Sequence, residues 1–170
     1  YVKLGSVLPK YNLGWRNDFN IGNIGFGAML AGRIGGVAIS MTQAALDHYG
    51  VSKESAEARD AGGVNINGCR VPAQSYFEER GKGRIAQYYT YSATNFRLQE
   101  AYVSYRLPRK LVNDKIDVTL SIVGRNLAML YSKAPFDPEA VSSTGNYAQG
   151  LDYFMLPSLR SYGFSIKANF

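Results

Sequence analysis

Pro157-Ser-Leu-Arg-Ser-Tyr-Gly-Phe-Ser-Ile-Lys-Ala-Asn-Phe170 decides the fold class. Tyr162, Phe164, Ile166, Ala168 and Phe170 form one side of an alternation whose other side is Ser161, Gly163, Ser165, Lys167 and Asn169. A period of two over about ten residues is a strand of the length a tilted β-strand needs to cross a bilayer. In hydrocarbon every backbone N–H and C=O needs a partner, so such a strand is viable only in a closed barrel, the smallest having about eight strands.

Four other segments carry the same period. From Tyr11 to Ile21, Tyr11, Leu13, Trp15, Phe19 and Ile21 oppose Asn12, Gly14, Arg16, Asp18 and Asn20, with Asn17 the one break in the apolar face. Gly22 and Asn23 supply the φ > 0 chemistry of a tight hairpin, and Ile24, Phe26, Ala28 and Leu30 open a second strand whose polar face ends in Arg33. In the third, Ala101, Val103, Tyr105 and Leu107 share a face onto which Arg97 and Gln99 also fall, which predicts a bulge near Glu100. In the fourth, Ile116, Val118, Leu120 and Ile122 oppose Lys115, Asp117, Thr119, Ser121 and Arg125. The expected strands span about 10–21, 24–36, 94–107, 115–127 and 157–170.

Two long excursions, about 37–92 and 128–156, separate these strands. The first is Ala-rich over Met41–Tyr49 and Ser52–Arg59, where short helices are expected, the second with Ser52 as N-cap and Gly62-Gly63 as its stop. Connections therefore run short, long, short, long, the asymmetry of an outer-membrane barrel with tight turns on one side and long extracellular loops on the other. The prolines agree: Pro9 and Pro157 open strands, Pro108 closes one, and Pro72, Pro135 and Pro138 lie in loops. A soluble β-sandwich, as in a carbohydrate-binding or adhesin domain, alternates too and stands as the alternative.

Composition narrows the function classes. Thirteen Tyr, 18 Gly and 19% charged residues among 170 fit aromatic-girdled β structure. No run of about eighteen apolar residues exists to make a transmembrane helix. The formal net charge is +6, yet the Lys and Arg residues are scattered and the aromatic pattern of a nucleic-acid-binding sheet is missing, so no nucleic-acid partner is expected. Cys69, the single cysteine, cannot form an internal disulfide. The sequence opens in mid-pattern at Tyr1, and the expectation is a C-terminal piece of a longer chain.

Several strings together resemble the SusC/RagA family of TonB-linked outer-membrane proteins. They are Leu8-Pro-Lys-Tyr-Asn-Leu-Gly-Trp-Arg-Asn-Asp-Phe19, Gly32-Arg-Ile-Gly-Gly36, Ala58-Arg-Asp-Ala-Gly-Gly63 and Tyr88-Tyr-Thr-Tyr-Ser-Ala-Thr-Asn-Phe-Arg-Leu-Gln-Glu-Ala101. Val123-Gly-Arg-Asn-Leu127, Lys133-Ala-Pro-Phe-Asp-Pro-Glu139 and Gly150-Leu-Asp-Tyr-Phe-Met-Leu-Pro-Ser-Leu-Arg160 complete the set. The resemblance implies an all-β chain forming the last five antiparallel strands of a transmembrane barrel of about twenty-two strands, with the plug domain outside this chain. It also implies import of glycan or peptide oligomers across the bacterial outer membrane, with a SusD-like surface lipoprotein as lid and the TonB system engaged through the missing N-terminal part.

No catalytic set is present, and neither enzyme activity nor a cofactor is expected. His48, the sole histidine, has no spacing to a Ser or Asp partner and reads as a solvated residue of a loop helix. Asp137, Glu139 and Asp152 are too few and scattered for Ca²⁺, so no metal is expected, and Asp137-Pro138 reads as a turn. Tyr131, Phe136, Tyr147, Tyr153 and Phe154 in the second excursion are candidates for contact with substrate, since aromatic faces stack on sugar rings or fill side-chain pockets. Tyr88, Tyr89 and Tyr91 read as girdle residues. Arg16, Arg33, Lys115, Arg125 and Lys167 lie opposite the apolar rows and are expected to face the lumen, where charge costs little.

Overall fold

A computed structural model describes residues 2–82, 86–108, 116–143, 145 and 148–169. Its strands are β1 (Tyr11–Ile21), β2 (Ile24–Ile34), β3 (Val37–Ser40), β4 (Val64–Ile66), β5 (Cys69–Val71), β6 (Thr90–Ser92), β7 (Asn95–Arg106), β8 (Asp117–Ser132), β9 (Leu151–Asp152) and β10 (Ser161–Asn169). The helices are α1 (Met41–His48), α2 (Lys53–Asp60) and α3 (Ala73–Gly81), with a 3₁₀ turn at Ala86–Tyr89. Two compact units result: Pro9–Gly35 with Thr94–Asp137 and Pro157–Phe170, and Tyr1–Leu8 with Gly36–Ala93 and Pro138–Leu156.

The first unit is one antiparallel sheet in the order β1-β2-β7-β8-β10. Its first hairpin closes through two residues, with Ile21 opposite Ile24 and the positive φ on Gly22 (61°). Asn23, expected to share that conformation, does not adopt it, and a glycine in the first of two loop positions suffices for such a turn.

Register then sorts the sheet into two chemically different faces. Phe19, Phe26, Val103, Ile122 and Phe164 form one row across it, and Ile21, Ile24, Tyr105, Leu120 and Ile166 form the next. The Phe19 and Phe26 rings stack at 5.2 Å between centroids. These side chains are not a core: Trp15, Ile122, Phe164 and Ile166 are each 62–63% exposed. A soluble sheet covers its apolar face with another layer, and a bare one of this extent marks an interaction surface.

Two irregularities explain where the alternation falters. Met29 pairs with Glu100 and Leu30 with Leu98, so Gln99 is the extra residue of a bulge. The bulge returns Phe96 and Leu98 to the apolar face and puts Arg97 opposite Ala31 on the polar one. On β8, Asn126 takes a left-handed φ of 52° where Glu100 and Leu98 oppose Arg125 and Ala128, and Leu130 is skipped between Met129 and Tyr131. Those out-of-phase residues hid the end of the strand, which continues to Ser132 instead of stopping near 127. β10 begins at Ser161, not at about 157.

The second unit packs helices beside a small sheet. β3 lies between β6, antiparallel, and β9, parallel. Ser40 caps α1 by accepting from the Gln43 N–H at 3.2 Å, and its hydroxyl donates to buried Asp152 at 2.8 Å. Ser52 caps α2 through the Ser55 N–H at 3.2 Å. α3 and the β4–β5 hairpin were not expected from sequence. α3 packs on α1 so closely that a Cβ on Gly81 would sit 2.6 Å from the Ala44 carbonyl oxygen. Tyr89, Phe77, Ala44 and Ala73 supply the apolar core.

Candidate functional site

The polar face of the five-stranded sheet carries a charged network built by register. Arg16, Met29, Glu100, Arg125 and Ser161 are successive cross-strand neighbours. Arg16 Nε donates to Asp18 Oδ2 at 2.9 Å, and the Tyr102 hydroxyl donates to Asp18 Oδ1 at 2.7 Å. Glu100 joins two guanidiniums, accepting from Arg125 Nε at 3.1 Å and pairing with Arg16 Nη1 at 4.0 Å. Tyr102 reaches Asp18 across β2 because Gly27 lies between them, where a Cβ would meet the Tyr102 ring at 2.5 Å. Arg33 stands on the same face opposite Asn12 and Asn95, and Lys167 opposite Thr119. Four of the five expected cations thus share one face, while Lys115 lies outside the described residues.

The aromatic candidates scatter. Tyr131 is a strand residue: it ends an apolar row opposite Phe96, the ring centroids 6.3 Å apart. Phe136 is half-buried in the connection after β8, and Tyr147 lies outside the described residues. Tyr153 and Phe154 are exposed and meet edge to face at 5.2 Å. Phe154 holds a φ of 52°, and its N–H donates to Thr42 Oγ1 at 2.7 Å. Left-handed backbone at a bulky residue costs about 1–2 kcal/mol, so this pair is held out by its anchorage.

The second unit has a cleft of about 250 Å³ beside α1, α2 and α3, lined in part by Asp47, His48, Ser55, Gln74, Phe77 and Glu78. Its wall includes the unit's buried polar centre. Asp47 is fully buried, accepts the Tyr89 phenol at 2.9 Å and pairs with Arg80 at 3.4 Å. Arg80 also bonds Glu54 at 3.0 Å and lies over the Tyr88 ring at 4.8 Å. Burial, aided by the hydrogen bond to Asp47, pushes the Tyr89 phenol well above its usual pKa. Tyr89, expected in an aromatic girdle, is instead a core residue. Sequence reasoning missed this centre because its members are dispersed over four elements.

Among the described residues, His48, Asp137 and Asp152 each hold a structural partner. His48 Nδ1 faces the Glu78 carbonyl oxygen at 3.2 Å. Asp137 pairs with Arg97 at 2.9 Å, and Asp152 accepts from Ser40. Among the described residues no group of three or more His, Cys, Asp and Glu could hold a metal ion.

No family model matches the chain. It is 24% identical over 174 residues to TonB-dependent receptor P3 of Formosa agariphila, covering 98% of this chain and 17% of that receptor. The RagAB peptide importer, solved in its open-open state, superposes with a TM-score of 0.66 at 18% identity over 98% of this chain and 18% of the importer chain. This chain resembles TonB-dependent receptors and importers. The structural likeness concerns the fold: a five-stranded antiparallel sheet with a helical excursion, in a chain that is mainly β. The two relatives are a receptor and an importer, not enzymes.

Proposed function

We propose that this chain forms the last five strands of an outer-membrane TonB-dependent importer whose barrel has about twenty-two strands. The observation that carries the reading is the bare apolar face: Ile122, Phe164 and Ile166 stay 62–63% exposed on strands whose opposite face is polar and charged. Acyl chains cover such a face, and the two sheet edges, β1 and β10, continue into strands outside this chain. The polar face, with Arg16, Arg33, Arg125 and Lys167, lines the lumen.

The extracellular loops include the second unit's residues 37–92 and 138–156. Substrate is a glycan or peptide oligomer, bound and passed without chemistry, and Tyr153 and Phe154 are its best-placed contacts in this chain because they are exposed and anchored. Phe136 and Tyr147 remain secondary contacts, and Tyr131, at the end of an apolar row, suits the aromatic girdle. A SusD-like lipoprotein acts as the lid, and the TonB system engages the part of the protein outside this chain.

Charge placed on the last strand tests this. Phe164→Arg or Ile166→Arg puts a cation into hydrocarbon at a cost of about 2–4 kcal/mol near midplane and abolishes recovery in the outer membrane, while Ser165→Arg is tolerated. Equal tolerance at all three positions sinks the assignment.

A further inference from the structure

Three of the strings that carry the family resemblance converge on one residue ahead of β10. Ser158 lies three residues before the strand begins. Its N–H donates to Asp137 Oδ2 at 3.2 Å, and its carbonyl accepts from Asn126 Nδ2 at 2.7 Å. The same amide lies 3.4 Å from the Leu159 carbonyl oxygen. Asp137 is itself fixed, its other oxygen accepting from Arg97 Nη2 at 2.9 Å in a pair whose side chains are 6% and 9% exposed. Asn126 projects its amide from the left-handed bulge position of β8.

A device is needed at this place. Where two strands meet through a two-residue turn, as β1 and β2 do, the turn fixes register. β8 and β10 are joined by a long connection that imposes none. Alternation excludes a slip of one residue, which would turn Lys167 to the apolar side. It does not exclude a slip of two, because a shift that sets Ser121 opposite Gly163 would bring Tyr162, Phe164, Ile166 and Ala168 to Ile122, Leu120, Val118 and Ile116.

We propose that Asn126 and Asp137 are positioning residues that set the register of the C-terminal strand by gripping Ser158 from both sides. The inference rests on the barrel reading for its setting but not for its readout. The experiment uses the full gene product with Cys69→Ser and paired cysteines on the polar face. Ser121→Cys with Ser165→Cys reports the native register; Ser121→Cys with Gly163→Cys or with Lys167→Cys reports slips of two. Directly opposed positions bridge readily, and diagonal ones are too far apart.

With Asn126 and Asp137 intact, only the native pair oxidises to a disulfide. Asn126→Gly keeps the left-handed backbone but removes the amide, and it lowers the ratio of native to slipped cross-link roughly tenfold. Asp137→Ala does the same, while Asp137→Asn, which keeps an acceptor for the Ser158 N–H, restores part of the ratio. Native-only cross-linking in Asn126→Gly and Asp137→Ala overturns the proposal. Loss of every cross-link in Asn126→Gly overturns it too, by making the residue a requirement for folding rather than for register. Outer-membrane recovery of the native-pair protein reports separately on the barrel reading, whose failure leaves the disulfide pattern readable.

Discussion

Ile122 and Phe164 stand directly opposite each other across β8 and β10, and they are 62% and 63% exposed. Two large apolar side chains in contact normally share a buried interface. Here they continue a row from β1 to β10, Phe19, Phe26, Val103, Ile122 and Phe164, in which every member is exposed. Water is a poor neighbour for that surface, at about 25 cal/mol per Å², and lipid is a good one.

The chain expressed by itself therefore requires detergent or bilayer. Without either, the bare face and the free edges of β1 and β10 drive association. Size-exclusion chromatography in detergent-free buffer is expected to show aggregates; a folded monomer there supports the soluble sandwich instead.

Asp47 and its partners hold the helices of the second unit, and they do so in the dry interior. Asp47→Ala leaves Arg80, 12% exposed at its side chain, without its buried counter-charge and removes the Tyr89 acceptor. The expected cost is about 3 kcal/mol. Hydrogen exchange of residues 41–92 reads it as faster opening there, with β7, β8 and β10 unchanged. By contrast Glu100→Gln, among solvent-exposed guanidiniums on the sheet, leaves the melting temperature within error.

Tyr89 links stability of that unit to alkaline pH. Its phenol is raised above the ordinary value of 10.0, so the folded form holds the proton more tightly than the unfolded chain. The resulting stability is fully present below about pH 10 and is lost as pH climbs through the raised value. Ultraviolet difference titration should show a late-ionising phenol that disappears in Tyr89→Phe; ionisation of all phenols together contradicts this.

Gly81 is the contact point of α3 on α1. Alanine there gains helix propensity of about 1 kcal/mol, but its methyl meets backbone atoms of Ala44 and His48, which cannot swing aside as a side chain would. The clash wins, and Gly81→Ala destabilises the unit by about 2 kcal/mol, measurable as a lower protease-resistance midpoint for residues 41–92.

The long strands were legible because alternation is a local signal that survives one-sided burial or none. Phe164 and Ser165 declare their faces by parity alone. Parity also placed Arg16, Arg33, Arg125 and Lys167 together. What it could not show is reach: Tyr102 bonds Asp18 only because Gly27 leaves a gap, and those partners are 84 residues apart. The second unit was less readable. α3 follows Pro72 with no side-chain cap, so its start carries no polar signature. The β4–β5 hairpin did carry one, Asn67-Gly68 at φ 51° and 86° in the two-residue turn, but it lies in a stretch whose Gly and Asn content reads as loop. Asp137 looked like a turn residue; its buried pairing with Arg97 depends on tertiary structure alone.

A nitroxide scan of the last strand tests the central claim most directly. Labels placed one at a time at Ser161–Asn169 in the membrane-embedded protein are read for collision with oxygen, which concentrates in lipid, and with a water-soluble nickel chelate. Oxygen access should peak at Tyr162, Phe164, Ile166 and Ala168 and nickel access at Ser161, Gly163, Ser165 and Lys167. A strand whose positions all favour nickel, with no alternation, contradicts the membrane-facing assignment.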